Sequence, residues 1–459
     1  MKGSNNIKKI LLLLGDSFLL YFSLYLALLI RYQELPAKEL WQSHFWPFTI
    51  IFIAWLIIFY ITNLYDLRLA VNNGVFWQNS SRTWLITSLL SVAFFYLMPN
   101  IGIAPKTNLL IFVFIFALLF FIWRQFYNWS LKSYLPKNNL LIIGLNDEVK
   151  ELAKELNERS HLGYVICAII SQEETFSEIS GIKIINSYKN LAELAKEKKI
   201  SAIVISTNPH ESAELREALF ACLPLKISYF SLPIFYENIT GKVPINVINQ
   251  MWFLDNLSEG NKTTFDALKR VFDLILALLS IFITIVFLPL IGLIIKLDSK
   301  GPVFFTQIRL GKNGLPFRMI KFRTMREENN NRTLTVANDT RVTRVGSFLR
   351  KTRIDELPQL INIIRGEMSF IGPRPERPEL VKELVKTIPF YQERMLVKPG
   401  VTGWDQVSGE YHSPTEQDTI KKLQHDLFYI KNRSYYLDFS IILKTIYTVF
   451  SNCKVVNKI

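Results

Sequence analysis

The run FDLILALLSIFITIVFLPLIGLII, Phe272 to Ile295, decides how this chain is built. It is longer than the ~20 apolar residues that a bilayer crossing requires. Lys269 and Arg270 precede it, and Lys296 and Lys300 follow it. A straight crossing would strand one of these basic pairs on the side of the membrane that disfavours Lys and Arg. Pro289 lies inside the run, where it removes a backbone donor and bends a helix. The run is therefore read as a re-entrant helix over about 268–296, broken at Pro289, that enters and leaves one leaflet. An ordinary spanning helix is the alternative.

Towards the N-terminus stand four more apolar runs: Ile10 to Ile30, Trp46 to Tyr65, Trp84 to Leu97 and Asn108 to Trp123. The third is the weakest, because it carries Thr87, Ser88 and Ser91 and ends at Pro99. Basic residues mark the sides. Lys2, Lys8 and Lys9 precede the first run, Arg68 and Arg82 separate the second from the third, and Arg124, Lys132 and Lys137 follow the fourth. The opposite side holds only Arg31, Lys38 and Lys106. The positive-inside rule then predicts a four-helix transmembrane bundle over 1–136, with the N-terminus and everything after Arg124 in the cytoplasm. The first run is too long for a signal peptide, and no small-residue cleavage site follows it.

The chain has 459 residues, enough for two or three units, and 50% of them are hydrophobic. Mean hydropathy is +0.20, high for a soluble protein. The formal charge of +14 would suit a nucleic-acid binder by itself. Its distribution, beside membrane segments and around Asp355, suits anionic lipid headgroups and phosphorylated substrates instead, with no nucleic-acid partner expected. Three scattered cysteines and five scattered histidines form neither a disulfide framework nor a zinc site.

From 137 to 257 short apolar runs alternate with charged helical stretches. Leu140 to Ile143, Tyr164 to Ile170, Ala202 to Ser206 and Lys226 to Phe230 read as strands; Glu148 to Asn157, Leu191 to Lys198 and Ser212 to Cys222 read as helices. That alternation predicts a parallel, Rossmann-like α/β domain. Its first turn, Gly144-Leu145-Asn146-Asp147, has one glycine of the dinucleotide pattern, so a nicotinamide-dependent oxidoreductase is the weaker reading. Leu232 to Leu257, with Pro233 and Pro244, reads as an irregular linker.

Chemistry concentrates further on, at Arg353-Ile354-Asp355-Glu356-Leu357-Pro358-Gln359, just after Arg341, Arg344, Arg350 and Lys351. Adjacent residues on a helix point about 100° apart, so Asp355 and Glu356 cannot serve one atom as twin bases. They can divide the labour, one attacking phosphorus while the other holds a divalent cation on diphosphate oxygens. Nearby cations are expected to depress both carboxylates. The plain alternative is the solvated face of an amphipathic helix.

Other blocks accompany this one: Lys269-Arg270-Val271-Phe272-Asp273, Gly301-Pro302-Val303-Phe304-Phe305-Thr306-Gln307-Ile308-Arg309-Leu310-Gly311, Lys321-Phe322-Arg323-Thr324-Met325, Met368-Ser369-Phe370-Ile371-Gly372-Pro373-Arg374-Pro375 and Lys398-Pro399-Gly400-Val401-Thr402-Gly403-Trp404-Asp405-Gln406-Val407. In this order and spacing, from about Phe265 to the C-terminus, the chain resembles the monotopic phosphoglycosyl transferases, also called bacterial sugar transferases. The resemblance implies a mainly α monotopic catalytic domain over 258–459, with the re-entrant helix, below a bundle and a Rossmann-like domain as in the family's larger members. It implies transfer of a sugar-1-phosphate from a UDP-sugar to undecaprenyl phosphate, with UMP released through a covalent aspartyl phospho-sugar. Such chemistry would begin capsule, exopolysaccharide or O-antigen synthesis at the cytoplasmic face of the bacterial inner membrane; a homodimer is consistent with that architecture.

By the same resemblance Asp355 is the nucleophile and Glu356 its partner in holding Mg²⁺. Arg350 and Arg374 would bind substrate phosphate, Arg374 being fixed between Pro373 and Pro375. Lys321 and Arg323 would line the same cleft, with Gln307 and Arg309 as further candidates that could equally brace a turn. Lys269 and Arg270, at the mouth of the apolar run, would meet the polyprenyl phosphate or snorkel to headgroups. Asp405 stands where the family usually has alanine, and Ser408-Gly409-Glu410 replaces Asn-Gly-Arg, which leaves a catalytically lapsed membrane scaffold as the competing reading. Leu437 to Phe450 reads as an amphipathic helix.

Overall fold

The structure, a computed structural model, describes residues 2–65, 74–98, 106–134, 138–158, 162–172, 178–179, 181–257, 262–326, 339–408 and 415–455. Arg68, Pro99, Lys137, Gly409 and Glu410 lie outside these ranges. The chain divides into two compact units, Met1–Thr240 and Gly241–Ile459.

The first unit opens with four helices, α1 (Lys2–Tyr32), α2 (Lys38–Ile61), α3 (Gly74–Leu97) and α4 (Lys106–Tyr134). α1, α2 and α4 contain segments long and apolar enough to cross a membrane. α3 falls short of that measure, its buried Ser80, Thr83, Thr87 and Ser91 bonding back to their own helix. Inside the bundle an aromatic ladder joins α2 to α4, Trp55 and Phe112 with ring centroids 5.6 Å apart and Trp55 and Phe116 5.4 Å apart. A buried ion pair lies there: Arg124 donates to Asp16 at 2.7 Å.

The α/β part follows as β1 (Asn138–Ile143), α5 (Asp147–Glu158), β2 (Tyr164–Ile170), β3 (Glu178–Ile179), β4 (Ile182–Ile185), α6 (Leu191–Glu197), β5 (Ala202–Ile205), α7 (Ala213–Ala221), β6 (Ser228–Ser231) and α8 (Leu232–Thr240). The sheet order is β3-β4-β2-β1-β5-β6, parallel except for the edge strand β3. The four expected strands and three expected helices are present; β3 and β4 are too short to have stood out by periodicity. The expected linker after Leu232 is instead largely helical. α8 buries Leu232, Phe235, Tyr236 and Ile239, and α9 (Gln250–Asn256) is capped by Asn249, which accepts from the Trp252 N–H. Burial of one helical stripe outweighs the two prolines, which stand in the first turn of α8 and outside both helices.

The second unit carries the long apolar run as α10 (Thr263–Asp298), followed by the antiparallel hairpin β7 (Phe304–Leu310) and β8 (Pro316–Phe322). Then come α11 (Arg344–Lys351), a 3₁₀ turn (Ile354–Gln359), α12 (Leu360–Arg365), β9 (Ser369–Ile371), α13 (Pro378–Thr387), a second 3₁₀ turn (Tyr391–Leu396), β10 (Gly400–Thr402), α14 (Trp404–Val407), α15 (Glu416–Asn432) and α16 (Tyr435–Val455). β9 and β10 pair in parallel.

The break expected at Pro289 is not seen, and α10 runs helical through it for 36 residues. A single proline deletes one hydrogen bond, and the turns on either side hold the helical path. Both ends of α10 nevertheless pack on this one unit. Near its start Asp273 accepts from the Phe370 N–H, and Ala277 packs with Phe317, Met319 and Ile363. Near its end Ile295 packs with Phe322 and Leu349, and Asp298 accepts from the Val345 N–H. Between them Phe282, Ile283, Ile285, Val286, Phe287 and Leu290 are exposed.

Candidate active site

Arg353 sets the geometry of the acidic pair. Its φ of 56° is left-handed, a conformation that costs a non-glycine residue about 1–3 kcal/mol. It turns the chain sharply from α11 into the 3₁₀ turn that carries Asp355 and Glu356, both buried. In a 3₁₀ turn successive side chains diverge by about 120°, so the two carboxylates face different surroundings.

Glu356 is held by three cations. Arg374 donates to its Oε1 at 2.8 Å, Lys321 does so at 3.2 Å, and the Arg353 guanidinium stands 3.6 Å from Oε2. Burial opposes its charge, but Arg374, Lys321 and Arg353 more than offset this and hold the carboxyl at about 2. Asp355 makes no hydrogen bond or ion pair among the described residues. Burial pushes it up to about 6, Glu356 pushes the same way, and Lys321, Arg374 and Arg350 only partly compensate. The expected cationic depression of both groups therefore holds for Glu356 and fails for Asp355. One carboxylate is a permanently charged anchor, and the other is free and only moderately acidic.

The surrounding elements explain who arrives. On β8, Phe317, Met319 and Lys321 share one face by the two-residue period, two of them entering the core and Lys321 reaching Glu356. Burial lowers the Lys321 pKa. Arg374 keeps 37% of its side chain exposed. Its loop is clamped from behind, since Arg394 donates to the Arg374 carbonyl at 3.0 Å and to Asp426 at 2.7 Å. Arg309 donates to Gln307, to the Pro375 carbonyl and to Glu376, and Lys422 also pairs with Glu376. Arg350 donates to Thr324 at 2.8 Å and lies within electrostatic reach of Asp355. A shallow cleft beside the Lys321 and Arg374 side chains is lined by Arg309, Met319, Lys321, Gln359, Arg374, Pro375 and Gly400.

Three expected site residues are elsewhere. Arg323 is buried and donates to the carbonyl and hydroxyl of Ser299, the residue ending α10. It follows the last residue of β8, so the strand alternation that aims Lys321 no longer governs it. Lys269 pairs with Asp438 at 2.6 Å, and Arg270 donates to the carbonyls of Ile363 and Ile364 at the C-terminal end of α12. Both therefore have protein partners in this structure. Asp405 is buried 3.8 Å from His425, so this departure from the family's alanine meets a packed neighbour. The sequence assigned no role to Arg353, Arg394 or Asp426, because their roles depend on a turn and on contacts distant along the chain.

Among the described residues no group of three His, Cys, Asp or Glu side chains converges as a metal site. Magnesium needs fewer, since it commonly takes one or two carboxylates and fills its octahedron with phosphate oxygens and water. The free Asp355 carboxylate and Glu356 Oε2, which is buried without a hydrogen-bond donor, fit that demand.

Residues 264–452 match the family described as Bacterial sugar transferase, and residues 60–229 match one described as CoA-binding domain. The chain is 38% identical over 242 residues to a UDP-N-acetylgalactosamine-undecaprenyl-phosphate N-acetylgalactosaminephosphotransferase of Aeromonas hydrophila, covering 52% of this chain and 56% of the relative. It is 35% identical over 271 residues to a UDP-glucose:undecaprenyl-phosphate glucose-1-phosphate transferase of Escherichia coli (strain K12), covering 58% of each chain. A Xanthomonas campestris pv. campestris protein of the same name is 30% identical over 340 residues, 70% of this chain and 68% of the relative. The matched part thus spans little more than half the length of the first two relatives. The chain belongs to the bacterial sugar transferase family.

In the other matched region the β1–α5 turn is filled by its own neighbours. At the β1–α5 turn a Cβ on Gly144 would stand 2.7 Å from Thr207 Cγ2, and Asn146 already bonds Ser206 and the Val149 N–H. Asp147 and Glu148 occupy the first turn of α5, where they repel an anion. These residues do not suit a pyrophosphate.

Proposed function

We propose that this protein transfers a sugar-1-phosphate from a UDP-sugar to undecaprenyl phosphate. The observation that carries the reading is the division of the acidic pair, Glu356 fixed by three cations and Asp355 free beside them. Asp355 attacks the β-phosphorus, a phosphorus–oxygen bond to UMP breaks, and the sugar phosphate stays on the carboxylate as an acyl phosphate. A phosphate oxygen of the lipid then attacks the same phosphorus and frees Asp355. Lys321 and Arg374 neutralise the transferred group, and Arg350 lies within electrostatic reach of Asp355. Asp355 and Glu356 would hold Mg²⁺, which supplies further charge neutralisation on the diphosphate.

The packing of both α10 ends on one unit supports a re-entrant path on the cytoplasmic face. From Ala277 to Ile295 a straight helix would extend about 27 Å, close to the hydrocarbon thickness, so a true crossing would carry one docked end away from its partners. The test is UMP release by purified protein with Mg²⁺ and undecaprenyl phosphate across UDP-sugars, with Asp355→Asn as control. Release lost in the variant is expected; release retained in Asp355→Asn overturns the nucleophile.

A further inference from the structure

We propose that Arg394, paired with Asp426, is a positioning residue for the transfer: from behind the site it holds Arg374 in line with the acidic pair. This deepens the function above and rests on it. The loop from Pro373 to Glu376 is held through four successive carbonyls. The Gly400 N–H donates to that of Pro373 at 3.0 Å, Arg394 to that of Arg374 at 3.0 Å, Arg309 to that of Pro375 at 3.1 Å and the Leu310 N–H to that of Glu376 at 3.0 Å. Pro373 and Pro375 have no N–H to give, so the loop backbone is fixed mainly by what its carbonyls accept.

Arg394 bonds the backbone of the residue whose guanidinium reaches Glu356 at 2.8 Å. Its other donors go to Asp426, at 2.7 and 3.1 Å, and to the Tyr391 hydroxyl at 2.8 Å. The Arg394 side chain is 4% exposed and that of Asp426 2%, so the pair acts through Arg374 rather than on substrate. A buried ion pair is often no more stabilising than apolar packing of the same volume. Apolar packing, however, cannot direct a bond at the Arg374 carbonyl. The support comes from α15, where Asp426 and Lys422 stand four residues apart on one face, Lys422 pairing with Glu376 at the end of the same loop. Phosphoryl transfer depends on such placement, since a drift of about 1 Å can cost on the order of 100-fold in rate.

The experiment is a double-mutant cycle on UMP release, with kcat/KM taken per folded molecule for wild type, Arg394→Lys, Arg374→Ala and the two combined. Arg394→Lys keeps a cation for Asp426 and loses the planar fork that reaches three partners at once. It is expected to lower kcat/KM about tenfold or more in the wild-type background and less than about twofold once Arg374 is gone. A merely structural role lowers yield and melting temperature but creates no coupling to Arg374. An equal loss in both backgrounds, or no loss in either, therefore overturns the proposal. Where Arg374→Ala turns over too slowly to measure, Arg374→Lys serves as the second background, and the loss there must be smaller than in wild type. If Arg394→Lys fails to fold, Tyr391→Phe, which frees one arm of the fork, is judged by the same comparison with a threshold of about threefold. No release by wild type with any UDP-sugar overturns the proposed function itself, a result distinct from an active wild type that ignores Arg394.

Discussion

At Asp355 the charged form is disfavoured by the fold, and this has two consequences of known sign. If Asp355 is the nucleophile as proposed, it must be ionised, and the rate of UMP release should fall as pH drops through its raised pKa, about 6 without metal. A pH–rate profile of the first half-reaction checks it. The folded pKa also exceeds the ordinary 3.8, so ionisation destabilises the native state fully above about pH 6, and the penalty disappears as pH falls towards 4. Asp355→Asn should therefore be inactive yet more stable at pH 7.5, by on the order of 1–3 kcal/mol, with the gain vanishing near pH 4. Glu356 has the reverse sign. Its depressed pKa contributes stability above about 4.5 that is lost as pH falls through about 2. Glu356→Gln should lower both activity and stability, the latter by roughly 3 kcal/mol, because Lys321 and Arg374 lose their counterion. Thermal melts across pH distinguish the two variants.

At the scale of elements, α11 is seated by a close approach. A Cβ on Gly346 would stand 2.0 Å from the Thr324 carbonyl oxygen, and Thr343 caps the helix by accepting from the Gly346 N–H. Gly346→Ala should push α11 off the hairpin, costing on the order of 2 kcal/mol or more and moving Arg350 away from Asp355. Thr343→Ala should cost only about 1 kcal/mol. Denaturant melts and UMP release measured together separate the two effects. The element pattern was readable wherever a period ran long, as in α1, α2, α4 and the strands β1, β2 and β5. It failed for α8 and α9, where two prolines outweighed the buried stripe of α8 and the Asn249 cap of α9 in the reading. It also failed at Pro289, where flanking turns carry α10 onward.

At the scale of the whole molecule, each unit has its own core, one of bundle aromatics and one around α15 and Trp404. The Asp16–Arg124 pair sits in the first. Arg124→Met leaves a buried carboxylate uncompensated and should destabilise the bundle by about 3–5 kcal/mol. Detergent-resistant melting temperature and membrane yield report that loss, while UMP release per folded molecule stays near wild type.

Sequence alone determined the membrane character, the α/β middle part, the family and the acidic pair with its basic neighbours, because each is written in residues adjacent or periodic along the chain. Only tertiary structure decided which cations serve that pair. Lys321, Arg374 and Arg353 converge on Glu356, while Arg323, Lys269 and Arg270 look equally basic in sequence but turn to Ser299, Asp438 and the end of α12. The physical reason is that a charge acts through distance and burial, and both are set by contacts between segments far apart in the chain.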